Sequence, residues 1–568
     1  STQKAIIDGD LTLPYAIGPT TYDKLEACEC QVNNGKKLIV GNSTGTTPAT
    51  LMIQGAFVNN GEVTIHNNSS LVQVNDDAIN TGTYTGTKFE VKRNYTAGQY
   101  DYVYWGAPTA LFPVASLPTS HKYQWNTTFD NTNGTQGNWV SPTTEMTPGI
   151  GYIARASNGS STPILNSFSF TGKPNNGLIT VPISRGNYNG DGITTGLDYD
   201  AEPLNTNNLD TTRWDDNWNL LGNPYPSAIN VLDFLTANTN IEGFVNIWTH
   251  STPPNSDTDP YYQDFKYNYS EDDYIAFNGT GIESGPTGLV FDGFLASGQG
   301  FFVLMEDGAP INGNVFFNNA MRRDVLNNLS YINNQFYRNS NNNKPQKHRI
   351  WFDLITEKGQ LDRALVGYVQ DATNKKDRLY DAVTKISGLK LYTFTNDLPL
   401  QPLGIQGKQL PFDNEDVVRL GYSANANGNY KIAIASVDGL FDSRDQNIYL
   451  EDKLLGSIHD LSDTPYEFTS LKGRFDDRFF VRYNRNNLNI DDFTMANPLV
   501  ITTNESKITI ISKAEAFNRV QIFDLLGRKI YDKKTMDSNE YTISDLVQDQ
   551  VLIVKVKLQN GNEISNKI

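Results

Sequence analysis

The apolar residues of this chain come in short runs separated by clusters of Asn, Gly, Thr, Ser and Asp. Over residues 11–74 the runs are LTL, KLIV, LMIQGAF, EVTI and SLVQV. Such runs predict strands, because side chains alternate across a pleat and Asn, Asp and Gly adopt turn backbone readily. In LMIQGAFVNNGEVTIHNNSSLVQV, strand, Asn-Asn-Gly, strand, Asn-Asn-Ser and strand follow closely. That rhythm suits stacked rungs of a β-solenoid, with turn asparagines laddering and alternate residues filling the interior. An antiparallel meander has the same local pattern; the solenoid is the reading adopted for residues 1–95.

Residues 96–345 read as a duplication. YWGAPTALFPVASL from Tyr104 resembles LLGNPYPSAINVLDFL from Leu220, each an apolar strand entering a Gly-x-Pro turn. Trp-bearing strands follow in both halves, around Trp125 and Trp248. GIGYIARA from Gly149 then matches GQGFFVLM from Gly298, and FSFTG at 168 and VFFNN at 315 close the two units. Two related β-sandwich modules account for this order, against the alternative that β-rich composition repeats by coincidence. Residues 346–485 form a further predicted sandwich, with strands HRIWFDLI, ALVGYVQ, YKIAIASV and RFFVRY and a short amphipathic helix at KKDRLYDAVTKI, residues 375–386. The Asn-rich stretch 486–498 reads as a linker, and 499–568 as a last, immunoglobulin-like sandwich. The expected fold class is all-β throughout.

At 568 residues the chain is longer than one core usually organises. Aromatics reach 11%, which argues against disorder. The net charge of -17 and the lack of clustered Lys and Arg argue against a nucleic-acid partner. The longest apolar runs, such as FFVLM at 301–305, fall short of the roughly 18 residues needed for a transmembrane helix. The N-terminal STQKAIIDGD has neither the basic nor the apolar part of a signal peptide. For an exported chain this implies that the N-terminus has been processed or trimmed, or that more protein lay upstream.

Catalytic patterns are sparse. GNSTG fits G-x-S-x-G around Ser43, yet TTPATLMIQG follows where a nucleophile elbow needs a helix. The pairs Asp272 with Asp273 and Glu415 with Asp416 read as solvated acids. Cys28 and Cys30 stand too close for an unstrained ring and read as structural, or as one half of a disulfide with an upstream partner. His66, His121, His250, His348 and His459 are too scattered for a zinc pattern. One loop has ligand spacing. NYNGDGITTGLD places Asn187, Asn189 and Asp191 at positions one, three and five, Gly192 at six, the Ile193 carbonyl at seven, Thr195 at nine and Asp198 at twelve. This is the spacing by which an EF-hand-like loop wraps Ca2+, and it is also the composition of a plain Gly-Asn turn cluster.

The C-terminal segment runs LVITT, KITIIS, VQIFDLLGRKIYD, YTISDL and VLIVKVKL, then an Asn-Gly turn before EISNKI. This succession resembles the type A C-terminal sorting domain of Type IX secretion system cargo, above all in V-x-I-x-D-x-x-G-R, here Val520, Ile522, Asp524, Gly527 and Arg528. By residue type, Val520 and Ile522 alternate inward, Asp524 and Gly527 turn the chain, and Arg528 leads into the next strand. Where the family has Gly, an apolar residue and Tyr, this chain has Gln550, Val551 and Leu552. The upstream SLVQ, GNPYP and GQGFF also resemble large surface proteins of gliding bacteria.

The resemblance implies a route: periplasmic transit in a Gram-negative bacterium, recognition by a shuttle β-barrel, passage through an outer-membrane translocon, and release or sortase-mediated attachment at the cell surface. Two roles remain at that destination, an adhesin or binding protein, with surface glycan one ligand, and a secreted hydrolase. The lack of an assembled nucleophile, metal or acid pair favours the first; exposed Trp and Tyr on a sandwich rim would support glycan stacking, and convergent carboxylates in a deep cleft would revive the second.

Overall fold

The alternation in the sequence becomes strands nearly everywhere. In the computed structural model the chain is all-β, with Val231–Ala237 the one α-helix among the described residues. The structure describes residues 3–567 except 18–19, 99–100, 120, 131–135, 157–161, 186–216, 250–273, 284–290, 307–308, 325–328, 332, 334–346, 385, 387, 396–400, 443–445, 485–498, 505–506, 513–515, 525–527, 545–551 and 560–562. There are two units. Ser1–Lys344 with Asp377–Ala382 make one, and Pro345–Lys376 with Val383–Ile568 the other.

The first unit opens with a three-sided parallel solenoid. Lys4–Ile7, Glu29–Val32, Phe57–Asn59 and Asn80–Gly82 stack along one side. Leu11–Leu13, Lys37–Val40, Glu62–Ile65 and the start of Phe89–Ala97 form the second side, and Lys24–Ala27, Thr50–Ile53 and Ser70–Gln73 the third. A three- or four-residue strand cannot bury its inner face alone, so stacking supplies the core. Leu13, Val40 and Ile65 stand in one inner column, and Leu38, Val63 and Phe89 in another, all buried. Asn59 closes one corner. Its Nδ2 donates to the carbonyls of Thr83 (3.1 Å) and Lys88 (3.0 Å), and its Oδ1 accepts from the Gly61 amide (3.2 Å).

Cys30 sits in an inner column between Ala5 and Phe57, and both cysteines are free. Burial pushes the Cys30 thiol up to about 12. At about pH 8 only on the order of one Cys30 in ten thousand would be thiolate. Alkylation of the native protein should therefore modify one thiol per chain, the half-buried Cys28, and both after unfolding. Mass spectrometry of the alkylated chain checks this, and two modified thiols in the native state would contradict the packing.

Two eight-strand repeats follow among the described residues. The first runs Phe89–Ala97, Tyr102–Trp105, Phe112–Pro113, Lys122–Asp130, Gln136–Val140, Glu145–Met146, Tyr152–Arg155 and Ile164–Thr171. The second runs Ile179–Ser184, Trp218–Gly222, Ile229–Asn230, Val245–Trp248, Tyr274–Phe277, Phe294–Leu295, Gly300–Leu304 and Asn312–Phe317. In each, the second, seventh, fourth and fifth strands make a sheet in that order, the third pairs with the sixth, and the eighth returns antiparallel to the first. Register agrees as well: Trp105 opposes Tyr152 as Leu221 opposes Phe301, and Tyr123 opposes Ile153 as Asn246 opposes Phe302. Trp125 and Trp248, two residues on, occupy corresponding places.

The repeats meet about a pseudo-twofold axis. The Gly106 amide donates to the Gly298 carbonyl (2.8 Å) and the Gly222 amide to the Gly149 carbonyl (3.0 Å). Trp105 bridges to Gln299, and Leu221 to Ile150. Since Gly106 corresponds to Gly222 and Gly149 to Gly298, each contact occurs twice with its roles exchanged, as in an isologous dimer interface.

In the second unit the strands Ser457–Asp460, Tyr449–Asp452, Gly473–Arg482, Val417–Ala424, Lys390–Phe394, Leu403–Gln409, Leu361–Val369, Lys347–Thr356, Gly428–Asp438 and Tyr466–Ser470 join edge to edge in that order. The sheet curls around one core, so that Phe468 of the last strand packs on Phe479 of the third with ring centroids 4.8 Å apart. The helix expected at residues 375–386 does not form. Asp377–Asp381 makes a single turn, in which the Asp381 amide donates to the Asp377 carbonyl (2.8 Å) and the Asp381 carboxylate accepts from the Asp377 amide (2.6 Å). Arg378 donates to the carbonyls of Leu235 (2.7 Å) and Ile241 (2.9 Å), at and beyond the C-terminal end of Val231–Ala237. Ala382–Val383 then extends as a strand. A lone turn gains little by continuing as a helix, whereas these fixed partners reward stopping.

Candidate functional site

The C-terminal sandwich has two facing sheets. Leu499–Asn504, Lys507–Ser512 and Glu540–Ser544 make one; Lys529–Ser538, Phe517–Asp524, Leu552–Leu558 and Glu563–Lys567, in that order, make the other. Ile508, Ile510 and Ile543 of the first pack on Phe517, Val520, Ile522, Leu552, Val554, Val556 and Leu558 of the second. Phe517–Asp524 has a partner on each side, so the V-x-I part of V-x-I-x-D-x-x-G-R is in a central strand with Val520 and Ile522 fully buried. Asp524 ends that strand, Gly527 lies outside the described residues, and Arg528 is exposed ahead of the return strand. The string thus divides: two residues build the core and Arg528 faces solvent.

Because Val520 and Ile522 point inward, Arg519, Gln521 and Phe523 share the outer face. Arg519 grips Asp532 with both arms of its fork, Nε to Oδ1 at 2.7 Å and Nη2 to Oδ2 at 2.6 Å, and the Lys529 ammonium reaches the same Oδ2 at 2.7 Å. The Arg519 bonds first, then that of Lys529, hold the Asp532 carboxyl well below the usual carboxylate range. In register, Lys534 and Lys557 stand opposite Arg519 on its two sides, and Lys555 opposite Gln521. Residues 499–568 contain ten Lys and Arg and nine Asp and Glu, so the acidity of the chain resides elsewhere. No motif in the sequence marks this outer face, although the alternation that buries Val520 and Ile522 also defines it.

The aromatics of the repeats are mostly inward. Tyr102, Tyr104, Ile153, Leu220, Trp248 and Phe302 form a buried cluster between the two four-stranded sheets, with half-buried Trp125, Trp139, Trp218, Tyr123 and Tyr274 around it. The Tyr104 and Tyr274 hydroxyls are 2.5 Å apart, and the Trp125 indole donates to the Trp218 carbonyl (2.9 Å). Among the described residues no Trp is exposed, so these rings act as repeat-to-repeat packing rather than as a stacking platform on a rim.

The remaining candidates are not gathered into a site. Ser43 lies in a turn that leads to the strand Thr50–Ile53, not a helix. Asp416 accepts from the Tyr368 hydroxyl (2.7 Å) and pairs with Lys408 (2.9 Å), while Asp272 and Asp273 lie outside the described residues. His348 accepts from the Leu440 amide (2.9 Å), and His66 is half-buried in the solenoid, its proton affinity lowered by burial. The calcium candidates Asn187, Asn189, Asp191, Ile193, Thr195 and Asp198 all lie outside the described residues. Among the described residues no three His, Cys, Asp or Glu side chains gather to hold a metal ion, and no helix is long and apolar enough to cross a membrane.

Two family matches divide the chain where the linker stands. Residues 7–483 match DUF8693, a domain of unknown function. The chain belongs to the DUF8693 family. Residues 488–568 match DUF8694, a second domain of unknown function, and no curated protein matches. The DUF8693 region spans the solenoid, both repeats and the curled sheet, while DUF8694 spans the sandwich that carries Val520, Ile522 and Arg528.

Proposed function

We propose that this DUF8693 member is cargo of the Type IX secretion system, addressed by residues 499–568 and bound for the cell surface or medium of a Gram-negative bacterium after periplasmic transit. The observation that carries this reading is the placement of V-x-I-x-D-x-x-G-R. Its apolar pair anchors the central strand of a folded sandwich, and its arginine is exposed at the adjoining hairpin. A shuttle barrel would then read a folded surface, not an extended tag. At its destination the chain acts as an adhesin or binding protein. Supporting that role over hydrolysis, Asp416 is committed to Lys408 and Tyr368, and Ser43 precedes a strand.

The test expresses the full chain behind a signal peptide in a host with the Type IX system, beside a version ending before residue 499. The full chain should reach the surface or medium and the shortened one should stay periplasmic. Arg528→Ala should reduce export without lowering the melting temperature. Retention of the full chain in cells that export another Type IX cargo overturns the proposal.

A further inference from the structure

We propose that the outer face of the four-stranded C-terminal sheet docks on an anionic lipid surface, through the phosphates of its headgroups. This goes beyond the export route and does not depend on it. Among the residues whose side chains are described, the face carries Arg519, Lys529, Lys534, Lys555 and Lys557 against one carboxylate, Asp532. Neighbouring strands lie about 4.8 Å apart, so Lys534, Arg519 and Lys557 form a row of cations across three strands. Half-buried Phe523 and Ile553 stand opposite each other on the same face, and Ile530, 38% exposed, follows Lys529.

The kind of partner follows from the kind of cation. A shaped protein epitope is read by forked, directional arginines, whereas lysines act as compact point charges on flexible stems. Here the one Arg fork of the face is already spent on Asp532, and the other cations are lysines. That arrangement matches a dense, laterally uniform layer of phosphates, each lysine near such a surface contributing roughly a fivefold gain in binding. Charges more than about 10 Å from such a face are screened at ordinary salt.

Sedimentation of the purified full-length protein with vesicles tests the idea, using phosphatidylcholine alone and phosphatidylcholine with about one third phosphatidylglycerol. Binding to the mixed vesicles should be clear at about 50 mM salt, weak at about 300 mM, and absent on neutral vesicles. Lys534→Gln, Lys555→Gln and Lys557→Gln together should weaken it on the order of 100-fold. The same three positions changed to Arg should retain it, which separates charge from folding. Lys4→Gln, Lys37→Gln and Lys431→Gln, at exposed lysines outside residues 499–568, should leave it unchanged. Failure of the unmodified protein to bind mixed vesicles overturns the proposal, as does equal binding by the two Gln triples. Binding to polyglutamate in preference to the mixed vesicles also overturns it, by assigning the face to an acidic protein.

Discussion

Asp452→Ala is expected to destabilise the second unit by about 3–5 kcal/mol, because it strands a buried guanidinium. Asp452 is fully buried and the Arg478 side chain is 5% exposed, with Arg478 Nη2 2.9 Å from Asp452 Oδ2. The carboxylate also accepts from the Tyr466 hydroxyl (2.9 Å) and the Leu454 amide (2.9 Å), and Arg478 donates to the Thr469 carbonyl (3.1 Å). Burial alone would lower the proton affinity of Arg478, but Tyr422 and Asp452 outweigh it and raise the net value, so the cation stays charged whether or not the core is dry. A guanidinium remains protonated at neutral pH even without its partner, so removing the carboxylate leaves a buried charge with no counter-ion. Calorimetry should find a transition lowered on the order of 10 °C. Adding Arg478→Met to Asp452→Ala should recover much of the loss, since an apolar side chain of similar length can pack against Phe468 and Phe479, which Arg478 already touches. A double variant no more stable than Asp452→Ala would refute this account.

Gly222→Ala is expected to be the second severe change, in the first unit. A Cβ on Gly222 would lie 2.4 Å from the Gly106 Cα and 3.0 Å from its nitrogen, and one on Gly106 would lie 2.8 Å from the Gly222 Cα. The obstacle on each side is backbone held by inter-repeat hydrogen bonds, so no side-chain rotation relieves it. Overpacking of this kind costs about 1–3 kcal/mol and sometimes more, and the absence of any flexible atom places this case at the upper end. Gly9→Ala, with nothing within 4 Å of its Cβ, serves as the control and should change the melting temperature little. Equal melting temperatures for the Gly222→Ala and Gly9→Ala variants would mean that the repeats separate easily.

Where the physics is local, the sequence determines the result. Strand alternation fixes which residues of VQIFD face inward, because the period of two is a property of the pleat and Val520 and Ile522 are the apolar members. The all-β class follows for the same reason: runs of three or four apolar-alternating residues between Asn and Gly turns are too short for anything but stacked or paired strands, and the parallel pairing of the structure decides for the solenoid over a meander. The Gly-x-Pro and Gly-x-Gly strings are visible as letters in both repeats, and the turns at Gly149 and Gly298 call for glycine because both have positive φ.

What only the tertiary structure decided depends on partners far away in the chain. Residues 375–386 have helix-compatible letters, but Arg378 finds the carbonyls of Leu235 and Ile241 and the chain leaves after one turn. Trp125 and Trp248 look alike as strand aromatics on a rim or in an interface, and the packing of two sheets face to face makes them interface. The closeness of Gly106 to Gly222 has no local signature, because neither needs an unusual backbone and each is small only for the sake of the other. The same holds for Asp452 and Arg478: a lone Asp and a lone Arg in two strands read as surface charges until the curled sheet closes over them and makes each the condition for burying the other.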